Sequence, residues 1–195
     1  MSNHDATAWE CPDPASALAS ALMNEDRAQS ARRIEELADE VGPLALSIAT
    51  RMLGDRTLAQ DALQDAFVQA YRGLSGFRGD SSLRTWFLRI LVNSCRRHRL
   101  LMRRWIAGTR RTELENPGAD VHTDTHGDPA LRARLERAVL ALPHRQRTAF
   151  VLRYVHDLGI AEIAGIMGCA EGTVKATIHK AVRRMRRELQ DLDAR

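Results

Sequence analysis

Six cations crowd one short stretch of this chain. Lys175, Lys180, Arg183, Arg184, Arg186 and Arg187 fall within Glu162–Leu189, and no acid stands between Gly172 and Arg187. Such a set is built to meet polyanions. Ammonium and guanidinium groups grip phosphates, and a guanidinium can also donate in pairs to a base edge. Val174, Ile178, Val182, Met185 and Leu189 recur at helical spacing through the same residues, so the cations lie largely off an apolar stripe. Ahead of it, Ala164 is small where two helices must cross. Gly168 follows where a tight turn needs positive φ, and Val174 where the second helix packs back. Ile163, Met167 and Ile178 complete the seam. Two helices joined by a short turn with glycine form the DNA-binding helix-turn-helix, whose second helix enters the major groove. A surface helix with a solvated basic face is the plainer alternative. The coincidence of glycine, small residue and basic helix favours DNA.

Other chemistry is hard to find. No nucleophile stands beside a base, no glycine-rich loop is set to cradle phosphates, and no metal-ligand set is visible, so neither catalysis nor a cofactor is expected. His122, Asp124 and His126 have ligand chemistry, but they lie in a segment with no rigid element to preorganise them. Cys11, Cys95 and Cys169 are far apart and odd in number, which argues against a disulfide framework and for a reducing compartment. No apolar run is long enough to span a membrane and no signal peptide is visible, so a soluble cytoplasmic protein is expected.

The chain of 195 residues has room for one or two small domains, and a hydrophobic fraction of 44% is enough for real cores. Strict alternation and hairpin signals are missing, which predicts an all-α fold: two small helical domains joined by a flexible linker, the second a four-helix helix-turn-helix domain. A second acid-free basic block runs from Arg96 through Arg97, Arg99, Arg103, Arg104, Arg110 and Arg111. Glu113, Glu115, Asp120, Asp124 and Asp128 separate it from the first, which suggests two polyanion contacts.

In chain order, residues 1–30 read as a leader, disordered on composition, with room for a short helix near Ala15–Leu22. Residues 31–106 form the first domain. Ile34, Leu37, Val41, Leu44, Ile48 and Met52 make a helical stripe, and Gly42-Pro43 predicts a kink or a meeting of two helices. Thr57 and Gln60 fit a capping box for the next helix, with Leu63, Ala66, Phe67, Ala70, Tyr71 and Leu74 inward. A loop from Gly73 to Ser82 leads to a third helix from Leu83 to about Trp105, with Ser81 or Ser82 as its cap. Its Trp86 and Phe87 read equally well as core or as a stacking platform. Residues 107–127 are the acidic linker and 128–195 the second domain. There Asp128-Pro129 starts a helix carrying Leu131, Leu135, Val139 and Leu142. Pro143 opens another, with Phe150, Val151, Tyr154 and Val155 inward and Arg145, Arg147 and Arg153 outward.

Three motifs in this order resemble the extracytoplasmic-function (group 4) sigma factors of bacterial RNA polymerase. AQDALQDAFVQAYR, from Ala59, resembles the family's polymerase-binding helix. FRGDSSLRTWFLRILVNSCRR, from Phe77, resembles the segment that melts and reads the −10 element. LPHRQRTAFVLRYVHDLGIAEIAGIMGCAEGTVKATIHKA, from Leu142, resembles the domain that reads the −35 element. The resemblance covers roughly Arg32 to Leu189.

The resemblance implies partners and roles: core RNA polymerase, promoter DNA and an anti-sigma factor. It places Asp61, Gln64, Asp65 and Phe67 against polymerase. Gly76, Phe77, Arg78, Asp80 and Ser81 fall where a flipped −10 base is captured, and Arg84, Trp86, Arg89, Asn93 and Arg97 beside the melted strand. Thr173, Lys175, Ala176, Thr177, His179, Lys180, Arg183 and Arg184 fall on the −35 face. Ala176-Thr177 stands where the family usually has Ser-Arg, so a guanidinium able to read guanine is missing. Arg97 stands where an Asp is common and adds charge at the single strand. A dimeric helix-turn-helix regulator is the alternative; it shares the last domain but leaves Ala59–Arg97 without a purpose.

Overall fold

The computed structural model describes residues 14–109 and 129–193. Among them are seven α-helices and no strand. Helix α1 spans Pro14–Leu53 and passes through Pro43 without a break. It is one helix, not two, because the buried run of Val41, Ala45, Ile48, Ala49 and Met52 outweighs the hydrogen bond that proline removes. The disordered leader expected through residue 30 is corrected from Pro14 onward, where the chain is already helical. Met1–Asp13 lie outside the described residues, as do the acidic linker from Arg110 on and His122–His126.

Gly54, at φ 76°, ends α1 by donating from its N–H to the Thr50 carbonyl at 2.8 Å. Helix α2, Arg56–Gly73, is capped by Asp55 rather than by the expected Thr57–Gln60 box. Asp55 has the extended backbone a cap requires, and its carboxylate accepts the Leu58 N–H at 2.8 Å. The seam of α2 is made of alanines: Ala59, Ala62, Ala66 and Ala70 are all buried. Small residues let α1 and α3 come close, and they turn Tyr71, expected inward, out to solvent. Helix α3, Leu83–Thr109, starts on Ser82, whose Oγ accepts the Thr85 N–H at 3.1 Å. Phe87, Leu88, Leu91, Val92 and Cys95 form its buried face, and burial pushes the Cys95 thiol up to about 12.

The C-terminal unit holds α4 (Pro129–Ala141), α5 (His144–Phe150), α6 (Ile160–Met167) and α7 (Glu171–Asp193). Two expectations about faces fail here. Leu131 and Leu135 are exposed, while Ala138 and Leu142 are buried against Ala181 and Met185. After Phe150 the chain makes a π-helical turn, Val151–Val155. The wider turn shifts the register, so Val151 and Leu152 are buried while Tyr154 and Val155 are exposed. Gly168, at φ 62°, caps α6, and the Cys169 N–H closes the turn on the Ala164 carbonyl at 3.1 Å. Val174 and Ile178 of α7 pack back on Ile163 and Ile166 of α6, as the spacing predicts.

The two units share one core. Phe87 and Leu91 of α3 belong to the same buried cluster as Leu152, Ile163, Ile166 and Val174. Arg147 corrects a third expectation: it is 2% exposed instead of facing outward. Its guanidinium donates to the Met52 carbonyl at 2.6 Å and the Leu142 carbonyl at 3.4 Å. Those carbonyls stand at the ends of α1 and α4, where no helical N–H remains to bond them.

Candidate nucleic-acid interface

Polar freedom at one end of α3 is a matter of local chemistry. Gly79, at φ 79°, lets the loop after Gly76 turn sharply, and Arg78, Gly79 and Asp80 are exposed. Under the loop, the rings of Phe77 and Trp86 meet with centroids 5.2 Å apart at 47°. Both rings are half-buried, so Trp86 is partly core and partly an accessible aromatic face, which reconciles its two readings. Phe87 is wholly core. Ser82 is committed to the cap, bonding both the Thr85 N–H and the Thr85 hydroxyl, while Ser81 reaches only the Ser82 carbonyl at 3.4 Å.

Along α3 the candidate strand residues divide. Asn93 is exposed, and Arg97 leans back on Ser94 Oγ at 3.3 Å. Arg84 and Arg89 turn to the C-terminal unit. Arg84 Nε lies 3.5 Å from Glu162, and Arg89 donates from Nε and Nη2 to the Gly165 carbonyl at 3.0 and 2.6 Å.

On α7, Lys175, Ala176, His179, Lys180 and Arg183 are exposed behind a seam of Val174, Ile178, Ala181 and Met185. Thr177 folds its hydroxyl onto the Thr173 carbonyl at 2.7 Å, and Arg184 pairs with Glu188 at 3.7 Å. Thr173, Thr177 and Lys180 form one stripe. They face Arg89, Asn93 and Arg96 across a cleft of about 760 Å³ whose lining contains no carboxylate.

The field in that cleft is strongly positive. His144, in its wall, is held down at about 4, first by burial and then by Arg99, Arg96, Arg147 and Arg145. It is neutral at pH 7, and an anion in the cleft would relieve the crowding of cations around it. Arg96, His144 and Arg145 were not among the expected site residues. Their types were visible in the sequence, but only the fold, which sets residues of α3 and α5 along one cleft, brings them together.

The α2 face is separate. Asp61, Gln64 and Asp65 are exposed, and Asp65 holds His98 Nε2 at 2.8 Å. Phe67 is half-buried and stacks on Phe87 at 4.5 Å, so its ring supports that face from beneath. Among the described residues no helix is long and apolar enough to cross a membrane.

Comparison with known proteins matches both units. Residues 37–105 match the family Sigma-70 region 2 and residues 132–185 match Sigma-70, region 4. The RNA polymerase sigma-H factor of Pseudomonas aeruginosa is 33% identical over 162 residues, covering 75% of this chain and 81% of the relative. The ECF RNA polymerase sigma-E factor of Escherichia coli K12 is 32% identical over 146 residues, covering 68% and 74%. Among solved structures, the fold is similar to the sigma factor RpoE in complex with the anti-sigma factor NepR from Bartonella quintana. That likeness has a TM-score of 0.65 at 23% identity, over 82% of this chain and 98% of the other. CnrH in complex with the cytosolic domain of CnrY gives 0.58 at 24%, over 85% and 95%. The chain belongs to the sigma-70 family of RNA polymerase sigma factors, in its extracytoplasmic-function branch, and so to the non-enzymatic factors that bind core polymerase and recognise promoters.

Proposed function

We propose that the two units read the promoter in two parts. Asp61, Gln64 and Asp65 of α2, backed by Phe67, dock on core polymerase. The loop Gly76–Ser82 captures an extruded −10 base, and Arg84, Trp86, Arg89, Asn93 and Arg97 hold the melted strand. An extruded base needs a flexible wall, polar groups for its edge and an aromatic surface for its ring. Gly79, exposed Arg78 and Asp80, and the Phe77–Trp86 pair supply these at one place, and that conjunction carries the reading.

Thr173, Lys175, Ala176, Thr177, His179, Lys180, Arg183 and Arg184 anchor α7 on the −35 duplex. Lysines and arginines give affinity there, and Thr173 meets phosphate at the helix start. Thr177 stands where the family's guanidinium would be and spends its hydroxyl on the Thr173 carbonyl, so −35 discrimination is weaker by the roughly 1–3 kcal/mol of a bidentate contact. Two structural relatives were captured with a partner chain, the anti-sigma factor NepR in one and the cytosolic domain of CnrY in the other. An anti-sigma factor is accordingly the proposed regulator, and the cytoplasm the proposed site of action. A dimeric regulator acting alone would leave the region 2 match at residues 37–105 without a use.

The experiment is transcription in vitro with core polymerase, followed by mapping of start sites. Discrete starts that need both proteins are expected. Asp61→Ala with Gln64→Ala should cut holoenzyme assembly while leaving the helical content intact. Lys180→Ala should weaken −35 binding. Duplex binding without polymerase by a stable dimer would overturn the reading.

A further inference from the structure

Over much of the surface, arginines sit beside acids. Arg51 and Arg132 share Glu136, Arg84 meets Glu162, Arg153 takes Asp157 and Arg184 takes Glu188. The cleft lined by α3, α5 and α7 departs from this. Arg96, Arg145 and Lys180 line it and are exposed, and none of the three forms an ion pair among the described residues. Arg89 adds a fourth cation, whose Nε and Nη2 are already spent on the Gly165 carbonyl. Like charges gathered at one place with no acid among them repel, and an anion between them removes that cost.

Size and lining narrow the ligand. The cleft of about 760 Å³ falls in the range of small-molecule sites, roughly 300–1,000 Å³. A DNA duplex is far wider and lies across such a cleft without entering it. Val92 and Ile166 are the buried part of the lining and the cations its exposed part, so an apolar floor lies under a charged rim. Two guanidinium groups and an ammonium call for more than one negative charge within a few ångströms. Guanidinium forks match phosphate oxygens two at a time, and a chain of phosphates concentrates charge as separate carboxylates do not. His144 stands in the same wall. Burial and the arginines around it, Arg99 and Arg96 of α3 and Arg147 and Arg145 of α5, keep its imidazole neutral at pH 7, so it meets an anion as an N–H donor.

We infer that this cleft binds a small phosphate-rich anion, a nucleoside polyphosphate or a short inorganic polyphosphate, gripped by Arg96, Arg145 and Lys180 with His144 donating from the wall. The site goes beyond promoter reading. Arg96, His144 and Arg145 have no part in that assignment, so the binding stands whether or not Arg89 and Asn93 hold a strand. Lys180 belongs to both, and through it a bound anion competes with the −35 duplex.

Isothermal titration of the full-length chain at physiological salt tests it with two probes, sodium tripolyphosphate and GTP. Saturation at one ligand per chain is expected. Each charged contact removed costs about tenfold, so Arg96→Gln with Arg145→Gln should weaken binding roughly a hundredfold. Arg186→Gln with Arg187→Gln removes the same charge from exposed positions outside the cleft and should change affinity by no more than about twofold. Equal losses in the two variants mean diffuse attraction to a basic protein and overturn the inference. So does a titration with no saturation at one ligand, or no binding at millimolar probe. GTP binding more tightly than tripolyphosphate assigns a nucleotide whose base uses the apolar floor, and the reverse order assigns the inorganic chain. A second measurement needs no variant to fold. Phenylglyoxal modifies accessible arginines of the wild-type chain, and peptide mapping locates them. Saturating tripolyphosphate should protect Arg96 and Arg145 while Arg186 and Arg187 stay reactive. Uniform protection, or none, sinks the site.

Discussion

Two arginines join the units by the same chemistry in opposite surroundings. Arg147 reaches from α5 to the end of α1, and Arg89 reaches from α3 to the end of α6. Each brings a cation to a carbonyl left over at a helix C-terminus. Arg147 is buried and its pKa is pulled down to about 9, chiefly by burial and then by Arg99, so it remains charged at neutral pH. Arg89 is exposed. A buried charge cannot leave its carbonyls without stranding them and itself, whereas an exposed one exchanges a carbonyl for water at small cost. The contact between the units therefore has a fixed end at α1–α5 and a releasable end at α3–α6. The releasable end carries Arg84 and Arg89, which the proposed function assigns to the melted strand.

The strongest way to break this contrast is to truncate both arginines. Arg147→Ala leaves two carbonyls unbonded and a void where a large side chain was buried, so it should cost about 3–5 kcal/mol. Arg89→Ala should cost less than about 1 kcal/mol. Urea denaturation of the two variants gives the comparison directly. Equal losses would mean that exposure does not set the strength of these caps.

Acid should act on both ends. His144 and His156 are each held down at about 4, His144 by burial and four arginines, His156 by burial and Arg51. An unfolded imidazole titrates near 6.5, so between about 6.5 and 4 the unfolded chain binds protons that the folded chain refuses. Stability is full above that window and falls as pH drops through it. Arg96 and Arg99 belong to α3 and Arg51 to α1, so each new imidazolium would face cations across the contact. Thermal unfolding from pH 7 to 4 should show the decline, and His144→Gln with His156→Gln should flatten it.

Much of this was legible in the sequence because it is local. The turn at Gly168, the stripe of α7 and the Ser82 cap are decided by residues within a few positions of each other. The failures have non-local causes. Arg147 looks like a surface residue of an amphipathic helix, and the carbonyl it caps, Met52, is 95 residues away. An α-helical period predicts Tyr154 and Val155 inward, and the π turn interrupts that period. Spacing marks Ala164 as the small crossing residue. The close approach across units belongs to its neighbour Gly165, whose partner Thr85 no spacing rule connects to it. The candidate reading residues follow from motif resemblance; the cleft that several of them share needs the fold.

Gly54 sharpens the fixed end. It holds φ 76°, and a Cβ there would stand 2.6 Å from a Leu140 methyl of α4. Gly54→Ala should cost roughly 1–2 kcal/mol from backbone strain alone, before any clash. Gly165→Ala has only Thr85 to meet and gains helix propensity of up to about 1 kcal/mol, so its net effect on stability should be smaller. Melting temperatures of the two alanine variants, measured side by side, rank the ends independently of charge.

The smallest effect is the most exacting test. Arg51 of α1 meets Glu136 of α4 at 3.1 Å, at the fixed end of the contact, but both side chains keep a fifth or more of their exposure, 24% and 20%. Position alone would rank this pair with Arg147. Exposure would rank it with Arg89, because water and salt still reach both charges. Glu136→Gln keeps the shape and removes only the charge, so the expected loss is below about 1 kcal/mol and should shrink further in high salt. A loss that matches Arg147→Ala and ignores salt would mean that location in the interface, not burial of the charge, decides which contacts hold. The releasable end would then need another cause than the water around Arg89.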